Sequence, residues 1–311
     1  MASFLTRAAG SSLVRLLVTV AILVYLAADI DMAVAARAVL SVRPGHLIAV
    51  LGLVAIDRSV MILRWILLLR GSGVAIEPSR AASIFLISSF VGSFLPAGVG
   101  GDAARAYGLS RQDATGSEAL ASVVVDRVLG ILSLVLMGLV GLLVWTPAGD
   151  AAWQWGLVAA IVLTASAALF WTDALIRTAV PSAWQSRRAF ERILRVSDAV
   201  GRYRERGPVL AQVMVWSIVV QLLRILQAYL LGLGLGLTVP FTYYLLFMPV
   251  GLLMLLLPIS VSGFGLPQGV IVWLLRPMGV ADEQSFALST LIVLTGLAGN
   301  LPGLWLWLRK R

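Results

Sequence analysis

The feature that most limits the fold of this chain is a series of apolar runs, each about as long as a bilayer-spanning helix. Only 13% of the 311 residues are charged and the mean hydropathy is +0.96, whereas soluble domains carry about a quarter charged residues. Backbone polar groups in hydrocarbon are satisfied only in helices of about 20 residues or in closed barrels. The runs lack the two-residue alternation of barrel strands, so we predict an all-α polytopic membrane protein.

We predict about six full spans and two interrupted segments, within a single membrane domain covering residues 1–311. The full spans are 13–28, 46–69, 118–145, 153–171, 209–236 and 284–308. The first interrupted segment begins with 81–96 and resumes after the Pro–Gly cluster as DAARAYGLSRQ, and the second is 241–275, broken in its middle. We expect each to be a re-entrant hairpin that enters and leaves on one side. The domain is predicted to contain a first repeat core (46–116), a basic cytoplasmic linker (172–207) and a second repeat core (208–281).

The two interruptions have similar sequences, LPAGVGG at 95–101 and LPISVSG at 257–263. An arginine precedes each proline by a similar distance, Arg64 by 32 positions and Arg224 by 34. In the predicted topology the two arginine-bearing spans run in opposite directions, so the halves are predicted to be inverted repeats. Broken helices in inverted repeats surround the binding sites of many secondary transporters. A chance match in a Leu- and Gly-rich chain is the alternative.

Charge and rare residues narrow the possible functions. The chain has no cysteine, which excludes disulfides, thiolate metal sites and cysteine nucleophiles, and its one histidine, His46, is interpreted as interfacial. The net charge of +9 comes almost entirely from arginine. Arg7, the basic residues of 70–111 and 172–207, and the terminal RKR fall on one predicted face, which is therefore cytoplasmic. We expect both termini in the cytoplasm of a bacterial inner membrane, and nucleic acid is not needed to explain the charge.

The basic segment 172–207 contains eight arginines and four acidic residues. Its part RAFERILRVSDAVGRYRER has the pattern of an amphipathic helix that could lie on the lipid surface. A solvated loop is the alternative interpretation.

Ionisable residues within spans are costly unless they pair or face water, so they are candidates for a binding site. Asp126 and Arg127 are adjacent and point about 100° apart on a helix, so we expect each to pair elsewhere, whereas Asp102 and Arg105 share a face. Helix N-termini at 100–102 and 262–264 favour an anion such as a lipid phosphate. The predicted substrate-binding residues are Arg64, Gly100, Gly101, Asp102, Arg105, Asp126, Arg127, Arg224, Ser260, Ser262 and Gly263. In the structural alternative, Asp102 caps its helix and the arginines anchor at interfaces or satisfy freed carbonyls. For Arg58 and Arg64 this alternative has equal weight.

Three ordered motifs, LPAGVGGDAARAYGL, VVVDRVLGILSL and LPISVSGFGLPQGVIVWLL, resemble the lysylphosphatidylglycerol synthase transmembrane family of flippase-like proteins. The resemblance covers about residues 15–308 and departs at Gln268, where the family often has glutamate. It implies movement of aminoacylated phosphatidylglycerol, polyprenyl-phosphate or hopanoid-type lipids between leaflets. Because the chain ends at LWLWLRKR, we expect no aminoacyltransferase domain.

We therefore predict a lipid translocase without catalytic residues, cofactor or metal, whose partners are membrane lipids. A homodimer and a separate lipid-modifying enzyme are possible further partners. One rival is an intramembrane transferase acting through Ser260, Ser262 or Asp102, although no base is evident beside them. The other is a non-transporting subunit that anchors or regulates a lipid-biosynthesis enzyme. No Walker sequence is present, so ATP hydrolysis would need a partner protein. Ion coupling and downhill exchange are the alternatives.

Overall fold

A computed structural model describes residues 30–94, 99–111, 115–145, 188–256 and 266–309, together with the single residues 156, 160 and 163. Its first half contains α1 (Met32–Leu40), α2 (Pro44–Gly71), α3 (Pro78–Ser93), α4 (Val99–Ser110) and α5 (Gly116–Trp145). Its second half contains α6 (Arg188–Gly201), α7 (Gly207–Gly234), α8 (Phe241–Leu256), α9 (Leu266–Leu275), α10 (Asp282–Ala298) and α11 (Leu301–Arg309). Short 3₁₀ helices, Arg202–Arg206 and Arg276–Met278, complete the described elements, which include no strand.

Four helical segments are long and apolar enough to cross a membrane within the described residues. They are Pro44–Gly71, Gly116–Trp145, Ile193–Gly234 and Asp282–Arg309. These agree with the predicted spans 46–69, 118–145, 209–236 and 284–308, so the all-α, multi-pass class is confirmed. The predicted spans 13–28 and 153–171 lie outside the described residues, and the count of six remains a prediction.

The helices α2 and α7, 28 residues each, pack antiparallel along their whole length. At one end the backbone N–H of Arg43 donates to the carbonyl of Gly234 at 3.1 Å, and at the other end Gly71 lies against Val209. A Cβ on Gly71 would lie 2.7 Å from a methyl carbon of Val209, so glycine permits the close approach there. This antiparallel pair forms the centre of the fold.

Both central helices end in the same turn. The glycines that follow them, Gly73 and Gly236, have left-handed φ angles of 87° and 80°, which glycine adopts without a steric cost. The residue after each glycine donates its N–H, at 2.9 Å, to the carbonyl five positions earlier: Val74 to Leu69, and Leu237 to Gly232. This hydrogen bond is typical of helix C-termini. Each turn is followed by a helix of 16 residues, α3 or α8.

The helices α3 and α4 form an antiparallel hairpin on one side of the central pair. Gly92 and Gly101 touch near its closed end, and Gly108 packs on Ile84 farther along. A Cβ on Gly101 would lie 2.8 Å from the carbonyl oxygen of Ser88, so any larger residue would push the two helices apart. The hairpin thereby brings the first turn of α4 against α3.

The basic segment is helical where the structure describes it, from residue 188 onward, and the interpretation of this part as a solvated loop is wrong. The buried side chains Ala199, Val200 and Tyr203 pack with Leu68 and Val125 of α2 and α5. The Tyr203 hydroxyl donates to the carbonyl of Leu68 at 3.3 Å. The amphipathic helix therefore buries apolar residues against the protein as well as exposing a basic face. Residues 172–187 lie outside the described part.

The last predicted span, 284–308, is not one continuous helix. It breaks at Gly299 and Asn300, and α11 begins one residue later. Pro302 has no N–H to donate to the carbonyl of Ala298, which explains why the helical ladder is interrupted there. The break lies beside the central helices, since a Cβ on Gly299 would overlap Val54.

Candidate functional site

A cavity of about 300 Å³ lies between α2, α3, α4, α5, α7 and the α10–α11 break. Its charged wall residues are Arg58, Arg64, Asp102, Arg105, Asp126, Arg127 and Arg224. Arg58 is near the middle of α2, about 20 Å from either end by helical rise. The cavity is therefore far from both ends of the helices that cross the membrane.

The innermost part of the site is an ion triad on Asp126. Its two carboxylate oxygens contact Nη2 of Arg64 at 2.7 Å and Nη1 of Arg105 at 3.0 Å. All three side chains are 6% exposed or less. The guanidinium of Arg105 also lies 5.3 Å from the ring centres of Trp65 and Phe85, where cation–π attraction holds its plane. The triad is thus fixed on several sides.

Two more accessible ion pairs surround the triad. Arg127 donates from Nε to Asp102 at 2.6 Å, and Arg224 donates from Nε to Asp57 at 3.3 Å. The two arginine side chains are 39% and 27% exposed. In both hydrogen bonds the donor is Nε, so the terminal amino groups take no part in them. Arg224 directs one of these groups at the sulfur of Met61, a weak acceptor, at 3.2 Å.

Two arginines have donors that the described residues leave unsatisfied. Arg58 contacts Asp57 at 3.5 Å and donates to the carbonyl of Gly296 at 3.2 Å, while Arg64 donates to the hydroxyl of Ser217 at 3.0 Å. The Nε atoms of both arginines are buried without a hydrogen-bond partner in the described part of the chain. Gly296 is free to accept because its helical partner, the N–H of Asn300, bonds to Leu297 instead.

Uncharged polar groups complete the wall. Gln221 donates to the hydroxyl of Ser133 at 3.1 Å, and Asn300 donates to the hydroxyl of Ser93 at 2.8 Å. The second bond ties the end of α3 to the helix break after α10. Sequence reasoning missed both residues, although an amide three positions before Arg224 and an asparagine in a Gly-Asn-Leu-Pro stretch were detectable signals.

The charges of the site do not cancel. Five guanidinium groups line the cavity, and three carboxylates (Asp57, Asp102 and Asp126) contact them, which leaves an excess of two positive charges among the described residues. An unpaired charge in a low-dielectric interior is strongly unfavourable. The site is therefore complementary to an anion. No group of three or more His, Asp or Glu residues in the described ranges is placed to hold a metal ion.

Seven of the eleven residues predicted to bind substrate lie in the cavity wall: Arg64, Gly101, Asp102, Arg105, Asp126, Arg127 and Arg224. Gly100 is in the first turn of α4 but is not among the wall residues. The other three, Ser260, Ser262 and Gly263, lie outside the described residues, as do most residues of both interruptions. Gln268 is fully buried in α9, away from the cavity wall.

The predicted divergence of Asp126 and Arg127 is confirmed, because each pairs with a different partner. The local contact of Asp102 with Arg105 is also present, at 3.4 Å. Interfacial anchoring is wrong for Arg64, which is 4% exposed and points into the protein. For Arg58, sequence reasoning left a structural and a functional role equally open, and it gave Asp57 no role. Arg58 does satisfy a freed carbonyl, that of Gly296, and both residues contribute to the cavity charge.

No curated protein is significantly similar to the chain. A protein-family model, in contrast, matches nearly the whole chain. The model of the lysylphosphatidylglycerol synthase transmembrane region matches residues 12–303, which confirms the resemblance of the motifs, and the chain belongs to this family of multi-pass membrane proteins linked to lipid handling.

Proposed function

We propose that the protein moves lipids with an anionic head group between the two leaflets of a bacterial inner membrane. The observation that carries this proposal is the excess of two positive charges in a cavity near the middle of the crossing helices. Guanidinium groups bind phosphate oxygens in a planar, bidentate geometry. The head group occupies the cavity during transfer while the acyl chains remain in lipid.

We further infer that the two halves are inverted copies, an arrangement found in many transporters that work by alternating access. Each half has a 28-residue helix, a turn with a left-handed glycine and a 16-residue helix. The contacts of Arg64 with Ser217 and of Arg224 with Asp57 also correspond, because both 57 to 217 and 64 to 224 are 160 positions apart. An approximate two-fold axis between α2 and α7 exchanges these contacts.

The charge distribution supports an orientation with both termini in the cytoplasm. The exposed basic residues of α6 and the following 3₁₀ helix, including Arg195, Arg204 and Arg206, then lie on the cytoplasmic side. A head group entering from that leaflet meets positive charge before it reaches the cavity. Membrane lipids are accordingly the proposed partners.

A transferase is less consistent with the same contacts. General-base catalysis needs a group that is free to take a proton, but each cavity carboxylate is held in an ion pair with arginine. Asp102, the one acidic candidate of that hypothesis, accepts from Arg127 at 2.6 Å. Translocation uses these pairs as they stand.

The proposal is tested by reconstitution into phosphatidylcholine vesicles that contain a small fraction of fluorescent anionic phospholipid. A membrane-impermeant quencher added outside the vesicles reports how fast labelled lipid reaches the outer leaflet. We expect the wild type to accelerate this loss of fluorescence, and Arg127→Ala and Arg224→Ala to reduce its rate at least tenfold. Arg276→Ala is the control, because its ion pair with Asp282 is exposed and outside the cavity. Exchange by the wild type no faster than in protein-free vesicles would overturn the proposal.

A further inference from the structure

We infer that the preferred head group ends in a phosphate monoester, which carries two negative charges at neutral pH, rather than in a phosphodiester. This inference rests on the proposed function and specifies its substrate class. Among the described residues, the five guanidinium groups exceed the three carboxylates by two charges. A dianion neutralises this excess, whereas a phosphodiester monoanion leaves one charge without a counterion.

The donors of the site fit a terminal phosphate. Arg127 and Arg224 are the two most exposed cavity arginines, and both contact their carboxylate partners through Nε. One terminal amino group of Arg224 contacts the sulfur of Met61, a weak acceptor that a phosphate oxygen would replace. Behind them, Nε of Arg64 is buried without a partner in the described part of the chain. A monoester has three unsubstituted oxygens and can accept from several arginines at once, whereas a diester has two.

Cavity size limits the head group but does not by itself distinguish a monoester from a small diester. A volume of about 300 Å³ is at the lower end of the range for small-molecule sites, which excludes an oligosaccharide head group. A head group carrying an amino acid would add a positive charge to a site that already has an excess of cations, so we expect such lipids to bind less tightly than the monoester.

The ion pair of Arg224 with Asp57 provides a matched test of charge. Asp57→Asn and Arg224→Gln break the same contact, yet they change the net charge of the cavity in opposite directions. A purely structural effect of losing the pair would shift the ligand preference of both variants the same way. Charge selection instead predicts opposite shifts, and the double variant restores the original excess of two.

The experiment is calorimetric titration of the purified full-length protein, in a non-ionic detergent, with three water-soluble probes. These are dihexanoyl phosphatidic acid, dihexanoyl phosphatidylglycerol and inorganic phosphate. At pH 8 we expect the phosphatidic acid to bind at least tenfold more tightly than the phosphatidylglycerol, given the strength of charge interactions in a partly buried site. At pH 5 the monoester has lost its second charge, whose pKa is about 6, and the preference should fall severalfold.

The comparison of binding at pH 8 and pH 5 reports the ionisation of the ligand rather than of a histidine. The only histidine of the chain, His46, lies against Gly234 at the end of α7, outside the cavity wall. The other charged groups facing the ligand are the arginines and aspartates already named. At pH 8, Arg224→Gln should lower the preference for the monoester severalfold and Asp57→Asn should raise it, with the double variant between the two single variants. Arg276→Gln, which removes the exposed Arg276–Asp282 pair, should leave the preference for the monoester unchanged.

The possible outcomes separate the two proposals. Equal or tighter binding of phosphatidylglycerol at pH 8 would overturn the monoester inference and leave lipid translocation intact. Opposite charge variants that shift the preference in the same direction would also overturn it. Inorganic phosphate binding as tightly as the phosphatidic acid would assign the site to free phosphate, and failure of both lipids to bind would remove support from translocation itself.

Discussion

At the scale of single residues, Asp126 is the group that permits two guanidinium ions to be buried together. Its carboxylate is 3% exposed and contacts both Arg64 and Arg105. A buried ion pair need not stabilise a protein relative to apolar residues, but removing one partner leaves the other charge uncompensated. The triad is therefore sensitive to any change of charge at its centre.

We expect Asp126→Asn to lower the free energy of unfolding by about 3–5 kcal/mol, because it leaves two buried arginines without their counterion. Thermal unfolding of the purified protein in detergent would measure the change. Asp282→Asn is the control, since its pair with Arg276 is exposed and such pairs contribute about 0–1 kcal/mol. A loss at position 126 as small as that of the control would show that the triad does not hold the helices together.

Sequence reasoning identified most of the charged residues of the site, but among their contacts only the local one between Asp102 and Arg105. The cost of burying charge pointed to Asp126, Arg127 and Arg224. The partner of Asp126 in α2, Arg64, is 62 positions away in sequence, and no local pattern specifies a contact at that separation. Asp57 received no role, because only the packing of α2 on α7 brings it to Arg224.

At the scale of elements, the α3–α4 hairpin depends on two glycines that touch. A Cβ on Gly92 would lie 2.9 Å from the Cα of Gly101, a backbone atom that cannot move without shifting the helix. The hairpin carries Asp102 and Arg105 into the cavity on α4. Its close packing therefore sets the position of two charged groups of the site.

We expect Gly92→Ala to destabilise the protein by about 1–3 kcal/mol through overpacking. It should also slow lipid exchange, because separation of α3 from α4 displaces Asp102 and Arg105. Gly52→Ala, in α2, is the matched control: its Cβ would meet nothing within 4 Å, and alanine should stabilise that helix by about 0.5–1 kcal/mol. Thermal unfolding and vesicle exchange measure the two effects, and opposite signs of the two unfolding shifts are the expected result.

The boundaries of the long helices were predictable, whereas the interruption of the last one was not. The span 46–69 and the helix Pro44–Gly71 differ by two residues at each end, since Pro44 starts the helix and Gly73 ends it. The break at Gly299–Asn300 lies inside an apolar run, where hydropathy gives no warning. Pro302 was the available signal, because a proline inside a helical pattern removes a backbone donor.

At the scale of the whole molecule, the proposed function requires the cavity to be reached from both leaflets and hence a defined orientation. The four spans of the described residues do not fix that orientation by themselves. The distribution of arginine predicts one, through the positive-inside rule. In the proposed orientation the turn between α1 and α2 lies outside the cytoplasm and the turn between α2 and α3 within it.

This orientation can be tested with single cysteines, because the natural chain has none. Ser41 and Ser79 are exposed serines in the first turn and at the start of α3, so Ser41→Cys and Ser79→Cys are conservative changes at accessible sites. A membrane-impermeant maleimide should label Ser41→Cys in bacterial cells whose inner membrane is intact, and Ser79→Cys only after permeabilisation. The two sites serve as controls for each other, since both must react once the membrane is opened. The reverse pattern would invert the predicted topology, and labelling of both sites in intact cells would contradict the placement of α2 as a full span, on which the central depth of the arginine cavity depends.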